Sequence, residues 1–161
     1  MGGKEMDYWK ILRDALGNQQ LILNSAAGAI IKDNKILLAR TSPISRWFIP
    51  GGMQELNESI QDTIIREIKE EFGLDLEIDK FIGIYSAPKW TMSLSNGDII
   101  QQVIFFFLLK GEFNESDIIL QKSEINEYAF FNLNEIPEYT MECCKEKIRD
   151  LEEFKGTVFL K

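Results

Sequence analysis

Residues 59–72 constrain the fold of this chain most, because their apolar and acidic side chains fall on different faces of one predicted helix. At about 100° per residue, five apolar side chains lie along a single stripe. These are Ile60, Ile64, Ile65, Ile68 and Phe72. Residues 57–59 offer N-cap side chains, and Gly73 is a suitable residue to end the helix. The stripe must pack against another layer of the protein.

The same helix carries three glutamates that share one patch beside this stripe. Glu67, Glu70 and Glu71 are three or four positions apart, and Glu71 lies at the edge of the stripe. Like charges repel one another, so the patch is either a helix face in solvent or a set of carboxylates neutralised by a cation. A surface helix would intersperse lysines to gain ion pairs. The clustering therefore favours a hard divalent ion, Mg²⁺ or Mn²⁺.

The rest of the chain predicts strands before and after this helix and a further helix near each end. The predicted helices cover residues 7–16 and 139–154, and the predicted strands fall within residues 20–40, 74–87, 98–111 and 126–133. The first strand region turns at Asp33-Asn34, which is hairpin turn chemistry. This order predicts an α/β protein with a mixed sheet covered on both faces. We expect residues 1–161 to form a single domain.

The composition excludes several kinds of chemistry. The sequence contains no histidine, which removes Ser-His and Cys-His nucleophiles, imidazole bases and histidine metal ligands. Acid-base chemistry must then use carboxylates, Lys, Tyr, Cys or a metal-bound water.

Charge and hydropathy limit the partners. The net charge is −8, and residues 52–74 contain six acids and two bases, so this segment alone supplies −4. An acidic working face argues against DNA, and no basic track stands out for RNA. No run approaches the roughly 20 apolar residues that cross a bilayer, and the segment MGGKEMDYWK lacks an apolar core for export. We expect a cytoplasmic protein without a membrane partner.

The residues of this acidic segment follow a fixed spacing. Gly52 is followed after five positions by Glu58, after seven more by Arg66-Glu67, and then by Glu70-Glu71 and Gly73-Leu74. This pattern resembles the signature box of the Nudix hydrolases at every fixed position. The resemblance implies a Nudix-type α/β/α sandwich with a mixed central sheet and a loop-helix-loop catalytic box. It also implies metal-dependent hydrolysis of a nucleoside diphosphate linked to another moiety, with water attacking a phosphorus of the pyrophosphate.

The resemblance assigns metal ligands within the box. Glu67, Glu70 and Glu71 are implied to hold Mg²⁺ or Mn²⁺ together with the backbone carbonyl of Gly51. The proton of the attacking water passes to a carboxylate, and Glu70 and Glu67 both remain candidates for this base.

The resemblance also implies organising residues in the box. Arg66 is implied to serve catalysis by pairing with Glu58, which pins the loop onto the helix. The alternative is an ordinary surface ion pair, worth well under about 1 kcal/mol. Gly52 and Gly73 permit backbone conformations that other residues avoid.

Five residues outside the box are further candidates. Relatives often supply an acidic ligand from a loop before the last core strand, where Glu124 lies, with Glu127 as a nearby substitute. Arg40 resembles a position that faces the substrate phosphates. Arg46 and Trp47 offer a cation and a stacking ring for a base, although the burial tendency of Trp47 favours the core. For Glu124 and Arg40, the alternative that the side chain is merely exposed and has no function has the same weight.

The substrate and assembly remain open at this level. Nucleoside triphosphates, ADP-ribose and nucleotide sugars all fit, and Pro88 lies near the place where ADP-ribose hydrolases carry a proline, without their Ser-Pro-Gly setting. The alternatives are a nucleotide-sensing module that keeps the fold without the chemistry, and an RNA 5′-end pyrophosphohydrolase. The intact box favours catalysis on a nucleotide-type small molecule. The resemblance also suggests a homodimer.

Overall fold

The computed structural model describes residues 7–94 and 96–161 and is built around a mixed sheet of eight strands. The strands are β1 (Leu21–Lys32), β2 (Lys35–Arg40), β3 (Gly51–Met53), β4 (Glu77–Tyr85), β5 (Thr91–Ser93), β6 (Ile99–Lys110), β7 (Glu127–Asn132) and β8 (Phe159–Leu160). Their order is β7-β2-β1-β6-β4-β8, with β3 beside β1 and β5 beside β6. The pairs β1–β6 and β4–β8 are parallel and the other pairs antiparallel. Residues 1–6, on which the prediction about export partly depends, lie outside the described residues.

Two helices cover the two faces of this sheet. Helix α2 (Ile60–Phe72) places its apolar stripe in one core cluster, and α3 (Glu142–Glu153) packs Cys144 and Ile148 into another. The predicted α/β/α layering is therefore confirmed. In the described parts of the chain, no helix has the length and apolar character that crossing a bilayer requires.

The boundaries of the predicted elements agree closely with the structure, with one class of exception. The Asp33-Asn34 turn has φ values of 50° and 59°, which suit a two-residue hairpin. The closing helix begins at Glu142 instead of residue 139. The short strands β3, β5 and β8 were not predicted as strands. They contain two or three residues each, which is too few to show the alternation of apolar and polar residues that predicts a strand. Their pairing depends instead on tertiary contacts.

Strand β1 changes partners along its length, and this change positions the box. Near its end β1 pairs with β2 at Ile31 and Lys32, whereas residues 25–27 pair with β3. Strands β2 and β3 thus pair with different parts of β1. The segment that enters the box, β3, therefore runs beside the middle of β1. A Cβ on Gly28 would lie 2.6 Å from Leu109 Cδ1 and 3.0 Å from Ile64 Cδ1. The small residue at this point allows α2 to lie close against the sheet.

Helix α1 (Tyr8–Leu16) lies at the end of the sheet where β1 and β6 begin. Trp9 and Leu12 pack against a small cluster formed by Leu21, Leu23 and Ile100. The Arg13 Nε atom lies 3.1 Å from Asp98 Oδ1, and both side chains are largely buried. This ion pair links α1 to the residue before β6, although the buried Nε and Nη2 atoms of Arg13 make no hydrogen bond.

We expect Ile68→Ala to lower the free energy of unfolding by about 2 to 5 kcal/mol, because it leaves a cavity under α2. Ile68 is fully buried between α2 and the sheet. Urea denaturation measures the change. Lys69→Ala is the matched control on the exposed face of the same helix, where the effect should stay within about 0.5 kcal/mol. Equal losses in the two variants would contradict this packing.

Candidate active site

The loop and helix of the box are held by local capping. Ser59 is the N-cap of α2, where its hydroxyl accepts from the Asp62 backbone N–H and the Asp62 carboxylate accepts from the Ser59 N–H. This reciprocal pair is a capping box. At the other end Gly73 has φ 72° in the left-handed region and donates its N–H to the Lys69 carbonyl. The sequence-based prediction of both helix ends is confirmed.

The guanidinium of Arg66 joins the box loop to α2. It donates to both Glu58 carboxylate oxygens at 2.9 and 2.8 Å and to the Met53 carbonyl at 3.0 Å. It also donates to Glu67 Oε1 at 2.8 Å and to Glu70 Oε2 at 3.2 Å. These contacts engage β3, the loop and the helix at once. The two-pronged pairing with Glu58 has more geometric specificity than an isolated surface ion pair.

The Glu58 carboxylate is itself held in place by its surroundings. Its Oε1 accepts from the Glu55 N–H at 2.7 Å and from the Thr63 hydroxyl at 2.9 Å. Partial burial acts to raise the pKa of Glu58, but the hydrogen bonds from Arg66, Glu55 and Thr63 outweigh it and lower that pKa. Glu58 is therefore a fixed anion and keeps Arg66 oriented.

Three carboxylates converge beside this clamp. Oxygen atoms of Glu67, Glu71 and Glu124 all lie within 4.8 Å of one another. Glu124 reaches this place because its loop is hydrogen-bonded to the end of α2, with the Gln121 N–H donating to the Glu71 carbonyl at 3.0 Å. We call Glu67, Glu71 and Glu124 the carboxylate cluster.

Burial and mutual repulsion disfavour charge in this cluster. Glu71 is 5% exposed, and its Oε2 atom has no hydrogen-bond partner. Burial, followed by the charges of Glu67 and Glu124, raises the pKa of Glu71 to about 8. Burial likewise raises the pKa of Glu67, although Arg66 opposes the shift. A buried carboxylate oxygen without a partner costs free energy unless something binds it.

The cluster fits a hard divalent cation. Carboxylate oxygens are the ligands that Mg²⁺ and Mn²⁺ prefer, and a cation would satisfy the unpartnered Glu71 oxygen and remove the repulsion. The structure brings Glu67 and Glu71 together as the sequence predicted, and Glu124 completes the group. The side chain of Glu70 is 52% exposed and turns to Arg66 instead. Glu70 thus lies outside the carboxylate cluster, next to it.

The two glycines that begin the box allow close approaches. Gly51 has φ 149°, and a Cβ there would lie 2.0 Å from the Ala26 carbonyl oxygen. A Cβ on Gly52 would lie 2.2 Å from Glu67 Oε1. Any larger residue at Gly52 would displace the Glu67 carboxylate. The φ of Gly52 is not positive, so the expectation that this glycine adopts a backbone conformation that other residues avoid is wrong. The close approach of Glu67, and not the turn, requires glycine here.

The carboxylate cluster opens into a cavity of about 580 Å³, which we call the acidic cavity. Its lining includes Gly51 and Gly52, the carboxylate cluster and Glu70. Helix α1 contributes a further part of the wall with Trp9 and Lys10. Sequence reasoning missed α1 here, because residues so far from the box in the chain carry no spacing signal that would join them to it.

The same two glycines also line a second cavity on the α3 side of the sheet. This apolar cavity of about 280 Å³ is lined by Phe48, Met92, Met141 and other residues. Two buried polar groups face it: Ser25, whose hydroxyl has no partner, and Lys147, whose ammonium donates to the Cys143 carbonyl at 3.0 Å. Sequence analysis singled out neither, since a serine in a strand and a lysine in an acidic helix are ordinary there.

The three residues suggested for substrate binding lie outside the acidic cavity, but Arg46 lines a small cavity of about 200 Å³ that shares Met92 and Met141 with the apolar cavity. Arg40 pairs with Glu127, its Nε donating to Oε2 at 2.7 Å, and its guanidinium lies 4.5 Å from the centre of the Trp47 ring. Trp47 is 8% exposed and packs edge-on against Phe131. Arg46 is exposed and lies over the Tyr139 ring. Arg40, Arg46 and Trp47 are all absent from the lining of the acidic cavity.

Known proteins resemble this chain in sequence and in fold. The sequence model of the NUDIX domain matches residues 23–150. The ADP-ribose pyrophosphatase of Methanocaldococcus jannaschii is 33% identical over 141 aligned residues, which cover 84% of this chain and 78% of that protein. A solved UDP-X diphosphatase has a TM-score of 0.64 at 20% identity, covering 98% of this chain and 76% of the other. An ADP-ribose pyrophosphatase structure from Streptococcus suis has a TM-score of 0.58 at 24% identity, covering 86% and 96%. The two structural matches establish the fold alone.

We expect Glu71→Gln to raise the melting temperature of the metal-free protein at pH 8 by about 5 °C or more. The folded-state pKa of about 8 lies above the ordinary value of 4.5, so wild type loses stability as the pH rises through this interval. The amide of the glutamine variant does not ionise, so the variant does not lose this stability as the pH rises. The same variant should lose the stabilisation that added Mg²⁺ or Mn²⁺ gives wild type.

Glu77→Gln is the matched control, because it removes the same charge at an exposed position at the start of β4. Thermal melts at pH 5 and pH 8, with and without metal, measure both effects. A Glu71→Gln protein that melts below wild type at pH 8, or that still responds to metal like wild type, would contradict the assignment.

Proposed function

The chain belongs to the Nudix family and is a pyrophosphohydrolase of that family, and from this premise we propose that it hydrolyses ADP-ribose in a reaction that depends on Mg²⁺ or Mn²⁺. Water would attack one phosphorus of the pyrophosphate and break the bridging P–O bond. The products would be AMP and ribose 5-phosphate, with release of two protons when both phosphate monoesters are dianions. The 33% identity to an ADP-ribose pyrophosphatase supports this substrate.

The observation that carries the proposal is that β3 lies between two cavities, one of which contains the carboxylate cluster. Gly51 and Gly52 line both the acidic cavity and the apolar cavity. A molecule with an aromatic base at one end and a pyrophosphate in its middle fits this arrangement. The base and its ribose would occupy the apolar cavity, and the pyrophosphate would cross β3 into the acidic cavity.

The carboxylate cluster would hold the ion that an acidic site needs to accept an anionic substrate. Glu67, Glu71 and Glu124 would bind it, with the Gly51 carbonyl as a further proposed ligand from the family resemblance; Glu70, which the resemblance also implies as a ligand, has a different proposed role. Such an ion screens the charge of the pyrophosphate and acidifies a water molecule. Without it, six acidic side chains of the acidic cavity would repel the phosphates; these are Asp7, Glu55, Glu67, Glu70, Glu71 and Glu124.

Glu70 is our choice for the base that takes the proton from the attacking water. It lines the acidic cavity but stands outside the carboxylate cluster, and about half of its side chain is exposed to solvent. A base must reach the water and then return the proton to solvent. Glu67, the other candidate, is buried between Arg66 and its neighbours in the cluster. Its position suits a ligand better than a base.

Arg66 would act by positioning. Its donors are directed to Glu58, Glu67, Glu70 and the Met53 carbonyl, so it holds two carboxylates of the site in fixed orientations. Preorganised groups of this kind lower the barrier because they need not move during the reaction.

The buried polar groups of the apolar cavity would fix the orientation of the base. Ser25 offers an unpartnered hydroxyl, and Gln102 offers an amide at the wall. A largely apolar pocket with a few polar groups is typical of sites for small molecules with aromatic rings.

We expect purified protein to convert ADP-ribose with Mg²⁺ or Mn²⁺ and to be inactive after EDTA treatment. Chromatography of AMP and ribose 5-phosphate measures turnover. Nucleoside triphosphates, nucleotide sugars and a 5′-triphosphorylated RNA serve as comparison substrates. A higher kcat/KM for any of these than for ADP-ribose would reject the proposed substrate while leaving the reaction class intact.

We expect Glu70→Gln to lower kcat by a factor of about 10² to 10⁴, the usual contribution of a general base. Because Glu70 stands outside the carboxylate cluster, the metal-induced rise in melting temperature should be largely retained. Glu77→Gln again controls for the lost charge. Glu70→Gln with unchanged kcat, or with metal stabilisation lost as completely as in Glu71→Gln, would contradict its role as base.

Two further features are proposals, the first from the family resemblance and the second from the hydropathy of the sequence. A homodimer would appear in light scattering at twice the monomer mass of 18.6 kDa. A cytoplasmic location is consistent with the composition of the chain and is tested by fractionation of cells that express it.

A further inference from the structure

Helix α1 lies outside the residues that match the family model, yet it forms part of the acidic cavity. The match begins at residue 23, whereas α1 ends at Leu16. Asp7, Trp9, Lys10 and Ile11 all line the cavity opposite the carboxylates of α2. Whatever α1 contributes to the site therefore comes from outside the matched domain.

Contacts at both ends fix α1 against the box. The Tyr8 N–H, at the start of the helix, donates to Glu55 Oε2 at 2.7 Å. Glu55 belongs to the box loop, so a carboxylate next to the active site caps the positive end of the α1 dipole. At the other end, Arg13 is held by the buried carboxylate of Asp98. The helix is thus tied to the box loop on one side and to the start of β6 on the other.

Lys10 presents its ammonium group in this cavity. Its Nζ is hydrogen-bonded to Asp7 and lies 5.4 Å from the centre of the Trp9 ring. The hydrogen bond to Asp7 and, less strongly, the charges of Glu124 and Glu55 raise the pKa of Lys10 despite slight desolvation. The ammonium is therefore a stable cation on the wall that faces the carboxylate cluster.

Among the described residues that line the acidic cavity, Lys10 and Arg66 are the two cations. Arg66 directs its donors to Glu58, Glu67, Glu70 and Met53. An ammonium has three donors, and the hydrogen bond to Asp7 uses one of them. Lys10 consequently retains donors for a ligand, whereas Arg66 is committed to the protein.

A second observation also points to a ligand in this cavity. The Oε2 atom of Glu71, which lines the same cavity, is buried and has no hydrogen-bond partner. A cation bound there would leave a phosphate group facing the opposite wall, where α1 lies. The cavity thus has unsatisfied acceptors on one wall and a cation with unused donors on the other.

We propose that Lys10 binds a non-bridging oxygen of the substrate pyrophosphate from the α1 side, across the cavity from the carboxylate cluster. The ligand class is a phosphate ester or diphosphate, and the inference rests on the proposed function in that the acidic cavity takes the pyrophosphate. Lys10 is a specificity-determining residue in this assignment. Asp7 and Trp9 are the neighbours of its half-exposed ammonium group.

This assignment predicts opposite effects on the two ligands of the cavity. Removal of the Lys10 charge deletes a charge-assisted hydrogen bond to phosphate and weakens its binding. The same change removes a positive charge near the carboxylates, so the affinity for Mg²⁺ alone should stay equal or increase. A general disturbance of the site would weaken both.

We expect Lys10→Gln to raise KM for ADP-ribose about tenfold, as loss of one hydrogen bond to a charged group implies, with kcat within about twofold of wild type. Lys10→Arg should restore most of the KM, because it keeps a cationic donor. Lys155→Gln is the control, since Lys155 is exposed after the end of α3. Steady-state kinetics at fixed ionic strength separate the two constants.

A binding measurement tests Lys10 independently of the substrate. Methylenediphosphonate has carbon in place of the bridging oxygen and cannot be hydrolysed, so calorimetry with Mg²⁺ reports its affinity directly. We expect about tenfold weaker binding in Lys10→Gln than in wild type or Lys155→Gln. Binding of Mg²⁺ alone should be at least as tight as in wild type.

The two experiments distinguish failure of this inference from failure of the proposed function. If wild type does not hydrolyse ADP-ribose but binds methylenediphosphonate through Lys10, the substrate is wrong and the subsite stands. If Lys10→Gln matches Lys155→Gln in both KM and methylenediphosphonate affinity, the subsite is wrong. Failure of wild type both to hydrolyse ADP-ribose and to bind methylenediphosphonate with Mg²⁺ would overturn both.

Discussion

The guanidinium of Arg66 is the contact on which the active site depends. It reaches β3 through the Met53 carbonyl, the box loop through Glu58, and α2 through Glu67 and Glu70. Three separate pieces of chain are thereby fixed in one geometry by a single planar group. A lysine has the same charge but lacks the planar fork that serves several acceptors at fixed angles.

The carboxylate cluster opposes the stability that this clamp supports. Glu71 is placed at the edge of the apolar stripe, so packing of α2 on the sheet buries a carboxyl group that has no partner for one of its oxygens. The fold holds this arrangement because Ile64, Ile68 and Phe72 of the same helix are fully buried. The free energy gained by burying these apolar side chains thus offsets the repulsion between the neighbouring carboxylates. The carboxylates are held in fixed positions that suit a cation.

Helix α1 shows how a segment beyond the matched domain can alter a site. Its start is capped by Glu55 of the box loop and its end is paired with Asp98 before β6, so the wall it forms is held at fixed distance from α2. Lys10 lies on this wall, and it is the cation for which we propose a role in substrate binding.

The sequence by itself determined α2, its caps and the side on which its glutamates lie, because a helix is a local structure with a period of 3.6 residues. It also predicted the hairpin at Asp33-Asn34 and the layered fold. The approach of Glu124 to Glu71, the turn of Glu70 toward Arg66, the burial of Trp47 and the position of Lys10 were decided only by the tertiary structure. Each depends on contacts between residues distant in the chain, such as the hydrogen bond from Gln121 to the end of α2, and such contacts leave no periodic trace in a single sequence.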